Sequence, residues 1–181
     1  CKDLTQPGVY NLTQNISSSG TCLNVLANDI TIDGKGYVIN YSASSMGYGV
    51  NNSEGFDNLT IQNVSVFKTA GLLAQRYSHA IMIDDNVDYA YDNTLYRVTI
   101  RMPNDVGYER AYPLRVIGAR NLNISHADIN KNTGQTNGFN MIELLYCRNV
   151  SLTDSAIYSE SYEVDDTAIR LQGTRNLTMR R

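Results

Sequence analysis

The chain is 181 residues long, 42% hydrophobic and 18% charged, with a formal net charge of -3; this profile excludes a disordered chain and argues against a basic nucleic-acid binder. No apolar run approaches the roughly 18 residues of a membrane span. Two His, three Cys and no C-x-x-C or H-x-x-x-H pair leave no ligand set for a structural zinc site, and the length suits a single domain, 1–181, with a sizeable core.

The chain is rich in Asn, Ser and Thr and holds 13 Tyr beside three Pro and no Trp. These residues favour turns and strands, and no long stretch keeps the i, i+3, i+4, i+7 apolar spacing of a helix, so the fold class expected is all-β. In chain order, residues 1–26 read as an N-terminal cap and lead-in, and 27–181 as coils. Short alternating bursts follow at Ile30-Thr31-Ile32, Leu59-Thr60-Ile61, Val98-Thr99-Ile100, Leu122-Asn123-Ile124, Val150-Ser151-Leu152 and Leu177-Thr178-Met179. Their first residues lie 29, 39, 24, 28 and 27 positions apart, in the range of a solenoid repeat with one long insertion, placed at about 84–96. The residues before the bursts are Asp29, Asn58, Arg97, Asn121, Asn149 and Asn176, which predicts a recurring corner suited to Asn, a residue that tolerates left-handed backbone.

Two further columns align with the bursts. Upstream lie Ile81 and Ile83, Leu114 and Val116, Ile142 and Leu144, and Ile169 and Leu171; downstream lie Val66, Ile129 and Ile157. Three inward positions per turn predict about six coils forming three short parallel sheets, since parallel strands need more than a hairpin and no helical crossover fits the spacing. A β-sandwich, the alternative, needs hairpin turns every 8 to 12 residues and leaves the Asn and Arg columns unexplained.

The segment from Leu4 to Asn40 and the N-[LV]-[TSN]-[ILM] corners at Asn58, Asn121, Asn149 and Asn176 resemble right-handed parallel β-helix proteins of the pectin-lyase-like superfamily, especially the secreted or cell-surface repeat proteins of archaea and bacteria. The resemblance implies a right-handed solenoid fold. It specifies no reaction, because that superfamily hosts lyases, hydrolases, epimerases, adhesins and structural proteins.

A chain that starts at Cys1 reads as a product already cleaved from a leader. Cys22 and Cys147 are four coil rises apart, roughly 19 Å, beyond disulfide reach. Cys147 therefore reads as a buried packing thiol. A Cys1–Cys22 disulfide would indicate an oxidising compartment; two reduced thiols and a lipid-bearing Cys1 are the alternatives. Nine Asn-x-Ser/Thr sequons occur, and Asn11, Asn15, Asn40, Asn51 and Asn63, which lie off the repeated corner, are the glycosylation candidates; Asn58, Asn149 and Asn176 read as ladder residues.

Candidate chemistry rests on carboxylate pairs. Asp165-Asp166 resembles the Asp-Asp pair of polygalacturonase-like hydrolases, in which two carboxylates serve as acid and base, but the position matching a third aspartate is Asn137. Asp84 and Asp85, with Asp88, Asp92 and His79 nearby, are weak candidate Ca²⁺ ligands through oxygen; a solvated polar loop is the leading explanation of them, and no other cofactor is expected. Tyr89, Tyr91, Tyr96, Tyr108 and Tyr112 cluster around the insertion, where rings can stack on sugars or on a neighbouring subunit. The leading expectation is an extracellular structural subunit, a glycoprotein of the cell surface or of a filament, assembling with itself through solenoid ends and Tyr-rich faces. The alternatives are a carbohydrate-binding or adhesive module and a polysaccharide hydrolase or lyase using Asp165 and Asp166. No nucleic-acid partner and no membrane span are expected.

Overall fold

The computed structural model describes residues 1–69, 77–85, 89–102, 111–133, 140–161 and 167–181. Among these there is no helix, and the strands follow one another in a repeated circuit. The first level is β1 (Lys2–Leu4), β2 (Gly8–Asn11) and β3 (Ile16–Ser17); the second is β4 (Leu23–Val25), β5 (Ile30–Asp33) and β6 (Val38–Tyr41). The third is β7 (Val50–Asn52) and the long β8 (Thr60–Lys68), and the fourth is β9 (Ile81–Asp84), β10 (Ala90–Tyr91) and the long β11 (Thr94–Met102). The fifth is β12 (Leu114–Ile117), β13 (Ala119–Ser125) and β14 (Asp128–Thr133); the sixth is β15 (Asn140–Leu145), β16 (Arg148–Thr153) and β17 (Ala156–Ser161); the seventh is β18 (Thr167–Gln172) and β19 (Arg175–Arg180).

Every strand pairs in parallel with its counterparts one level away. The first ladder runs β1-β4-β7-β9-β12-β15-β18 and the second β2-β5-β8-β11-β13-β16-β19. A third ladder joins β3, β6, the second half of β8, the second half of β11, β14 and β17. The lead-in segment is thus a level in its own right, in register with the second level in all three ladders. This is an all-β fold of parallel sheets, compatible with a solenoid.

The core follows from period-2 alternation, which sends one side of each strand inward. Leu23, Val50, Ile81, Leu114, Ile142 and Ile169 stack in one column of the first ladder, and Ile83, Val116, Leu144 and Leu171 in the next. Ile39, Val66, Ile100, Ile129 and Ile157 stack in the third ladder. The first four of these are at most 1% exposed. No single level could enclose such residues; each is covered only by the levels above and below.

The corners are built from left-handed turns. Asp29, Asn58, Asp92, Asn121, Asn149 and Asn176 all have φ between 54° and 59°. Their side chains hydrogen-bond up the stack: the Asn58 amide donates to Asp29 (2.7 Å), Asn121 to Asp92 (2.8 Å), Asn149 to Asn121 and Asn176 to Asn149 (both 3.0 Å). Asp92, not Arg97, holds the corner of the fourth level. Val98-Thr99-Ile100 pairs with Val64, Ser65 and Val66 and so belongs to the third ladder, one strand later than the spacing implied. The misplacement has a physical cause: β11 carries the inward alternation through a second left-handed corner at Arg97 (φ 50°), and the true position beside Asp92 is Asn93, a polar residue inside the core. Asn93 is fully buried, and its Oδ1 accepts the Leu59 amide proton at 2.9 Å. Counted corner to corner, the long interval is 34 residues, from Asn58 to Asp92.

The first two levels are tied by a Cys1–Cys22 disulfide, with Cα atoms 4.4 Å apart. Cys147 is a buried free thiol. At the seventh level the inward columns end at Leu171 and Met179, which are 49% and 59% exposed.

Asn149→Ala is expected to destabilise the fold by about 1–2 kcal/mol, because a Cβ without a local hydrogen bond is strained at positive φ. Asn149→Gly is expected to lose less, since it removes only the amide ladder. The midpoint of urea unfolding of the two variants against the parent checks the order.

Candidate functional site

Polar side chains gather on the flank where the first ladder turns into the second. Gly118, Tyr146 and Gly173 turn the chain there at φ 68°, 56° and 63°. Tyr146 lies over Gly173: a Cβ on that glycine would sit 2.6 Å from the Tyr146 Cδ1, so the absent side chain makes room for the ring. The Tyr146 hydroxyl accepts a hydrogen bond from Gln172 Nε2 at 3.0 Å, and the residue remains 54% exposed. Two positions further along the chain, Arg120, Arg148 and Arg175 occupy one register position of the second ladder on three successive levels, with Tyr91 at the same position on the level before. The Arg120 guanidinium lies 3.7 Å from the centroid of the Tyr89 ring and 5.5 Å from that of Tyr91, and Arg148 is 5.8 Å from Tyr89. Tyr89 and Tyr91 meet edge to face at 6.5 Å. Beside them run the exposed amides of Asn121, Asn149 and Asn176. The flank therefore presents guanidinium forks and amides repeated at the strand spacing of about 4.8 Å, with rings on the fourth and sixth levels.

A second polar cluster lies on the outer face of the first ladder. Glu143, 1% exposed, is paired with Arg115 one level before (2.7 Å) and Arg170 one level after (2.8 Å). Close by, His79 is stacked between Tyr48 and Tyr112, with ring centroids 5.8 and 5.4 Å away. His79 Nδ1 accepts the Tyr112 backbone proton at 2.9 Å, and Lys131 Nζ donates to the Ala111 carbonyl at 2.7 Å. Burial, with the positive charges of Arg115 and Lys131, pushes the His79 pKa down to about 3, so the ring is neutral at physiological pH.

At the turn between the second and third ladders, the Lys35 ammonium at 2.7 Å holds the Asp33 carboxyl well below the usual carboxylate range. An open concavity of about 460 Å³ lies beside it, lined by Lys35, Gly36, Asn63, Val64, Ser65, Arg97 and Thr99.

Of the residues singled out from the sequence, Tyr89 and Tyr91 are brought together. Tyr96 faces another corner, edge to face with His126 and under Arg97, and Tyr112 is buried in the histidine stack. Tyr108, Asp88, Asp165 and Asp166 lie outside the described residues. Asp84 ends β9 and is buried, whereas His79 precedes that strand; the Asp85 side chain lies against Gly55, and Asp92 accepts from Asn121. Among the described residues, no three His, Cys, Asp or Glu side chains are placed to hold a metal ion.

The sequons separate by what each amide does. Glycans attach at Nδ2, and this atom is engaged in Asn51 (to Asn24), Asn63 (to Asp33) and the ladder residues Asn58, Asn149 and Asn176. Asn11 and Asn15 are exposed, and Asn15 uses its Oδ1 to accept from Val38. Asn40 is half-buried. In the sequence, Arg120, Arg148 and Arg175 each precede a corner Asn, and the Arg115-Glu143-Arg170 trio is marked by a charge alternation at intervals of 28 and 27 residues.

Comparison with family models, with curated proteins and with solved structures returns no match for this chain.

Since the folded state lowers the His79 pKa below its unfolded value near 6.5, the unfolded chain binds the extra proton between pH 6.5 and about 3. That stability is fully present above pH 6.5 and is lost as pH falls toward 3. Lowering pH from 7 to 5 should cost about 2 kcal/mol, and His79→Phe, which keeps a ring in the stack, should flatten this dependence; chemical unfolding followed by circular dichroism at each pH reads both.

Proposed function

We propose that the three ladders form a right-handed parallel β-helix of the pectin-lyase-like kind, and that the protein works outside the cell as a rigid scaffold binding an extended glycan along the flank between the first and second ladders. The observation that carries this reading is the alignment of Tyr89, Tyr91 and Tyr146 with the amides of Asn121, Asn149 and Asn176. Aromatic rings stack on the apolar faces of sugars, while amides and guanidinium groups offer donors and acceptors to hydroxyls. A linear glycan presents these features repeatedly, as the stack does. The Cys1–Cys22 disulfide supports an oxidising location.

A second reading is self-association of the stack through its outer faces, where Tyr146 and Tyr158 are exposed large hydrophobics. Contact between copies there would make the chain a structural subunit. A hydrolase or lyase reading stays attached to Asp165 and Asp166 and gains no support from the described residues.

The test is binding to a panel of neutral and charged oligosaccharides by affinity electrophoresis. Retention by at least one glycan is expected, with Tyr146→Ala weakening it about tenfold, as the loss of roughly 1.4 kcal/mol of ring contact would; a chain that binds no glycan refutes the reading. Sedimentation velocity at rising concentration decides the second reading, which predicts growth beyond the monomer that Tyr158→Lys abolishes.

A further inference from the structure

We propose that Arg120, Arg148 and Arg175 form a track for tetrahedral oxyanions, sulfate or phosphate ester groups carried at intervals along an extended chain. The proposal rests on the reading of this flank as a ligand-binding surface and names the chemistry it selects.

The molecule supplies its own comparison. Three other arginines in the ladders meet a carboxylate one level away: Arg101 pairs with Asp128, and Arg115 and Arg170 with Glu143. In each case a stack that brings side chains within about 5 Å of one another alternates its charges. The column through Arg120, Arg148 and Arg175 places three like charges in succession, and among the described residues no carboxylate pairs with any of them. The nearest acid in that column, Asp57, lies on the far side of Tyr91 and accepts the Tyr91 backbone proton at 2.7 Å. The whole chain carries a net charge of -3, so the basic track is local.

Two further features suit the track to a ligand. Arg120 is held in place by the Tyr89 and Tyr91 rings, and its Nε, shielded from solvent, has no hydrogen-bond partner among the described residues. Arg148 and Arg175 are exposed. A planar carboxylate fills one guanidinium fork with its two oxygens. A tetrahedral oxyanion directs its two or three unbridged oxygens out of a single plane, so it can accept from the forks above and below it across one strand spacing.

The experiment measures fluorescence anisotropy of labelled dextran sulfate and labelled polyphosphate against the whole chain, with neutral dextran and polyglutamate as comparators. The parent protein is expected to bind at least one oxyanion polymer, more weakly as salt rises from roughly 50 to 200 mM. Arg148→Gln/Arg175→Gln should weaken binding at least tenfold while leaving the circular dichroism and unfolding midpoint unchanged. Binding of dextran sulfate alone identifies sulfate groups, and of polyphosphate alone phosphate groups. Failure to bind either polymer, binding unaltered in the double variant, or polyglutamate bound as tightly as dextran sulfate overturns the proposal. Binding of a neutral glycan that depends on Tyr146 but ignores the arginines would leave the glycan reading standing and sink this one; polyphosphate binding by a chain that retains no glycan would do the reverse.

Discussion

Parallel strands can pair level upon level only if the chain turns at the same place in each circuit, and here the turn demands a backbone that L-residues resist. Six residues at one corner sit at φ between 54° and 59°, and five more, Lys35, Asn63, Arg97, His126 and Asp154, do so at the next, between 48° and 54°. At the first corner the strain is offset by side-chain amides bonding from level to level. That arrangement sets the register of the ladders, which sets the core columns, and the outward positions follow by alternation. The polar flank is therefore a consequence of the corner: once Asn121, Asn149 and Asn176 are stacked, the preceding Arg120, Arg148 and Arg175 must be stacked too.

This dependence explains how far the sequence could be read. The Asn corners and the apolar pairs Leu114/Val116, Ile142/Leu144 and Ile169/Leu171 were legible because the same residue types recur at near-constant intervals, and the registers agree with them. The fourth level was misaligned because its corner is Asp and its inward residue is Asn93, so the expected signature was missing while a decoy followed five residues later. Alternation alone does not tell one ladder from the next. Of the flank, the tyrosines at 89 and 91 were legible from their density near the insertion. Tyr146 was not, because a single exposed ring at a turn carries no periodic signal; only its packing over Gly173 distinguishes it.

Stacking also dictates how charge is used. A side chain on an outer face has neighbours above and below at strand spacing, so like charges repel and opposite charges bond. Arg115-Glu143-Arg170 resolves this within the chain, at the cost of desolvating Glu143, which two guanidinium groups offset. The arginine column on the flank leaves it unresolved. The histidine stack shows a third solution, in which planarity replaces charge: Tyr48, His79 and Tyr112 lie ring on ring, with the imidazole kept neutral.

The two nine-residue strands have a mechanical meaning. β8 and β11 each pass through a corner without breaking, so each belongs to two ladders at once, and they are paired with each other over seven residue positions. At levels one, two, five and six the second and third ladders are made by separate strands joined at the corner. Levels three and four therefore act as a collar: one sheet cannot peel there without dragging its neighbour. Local opening that starts on either side of levels three and four is expected to stop at this collar, because each of its strands must leave two ladders together.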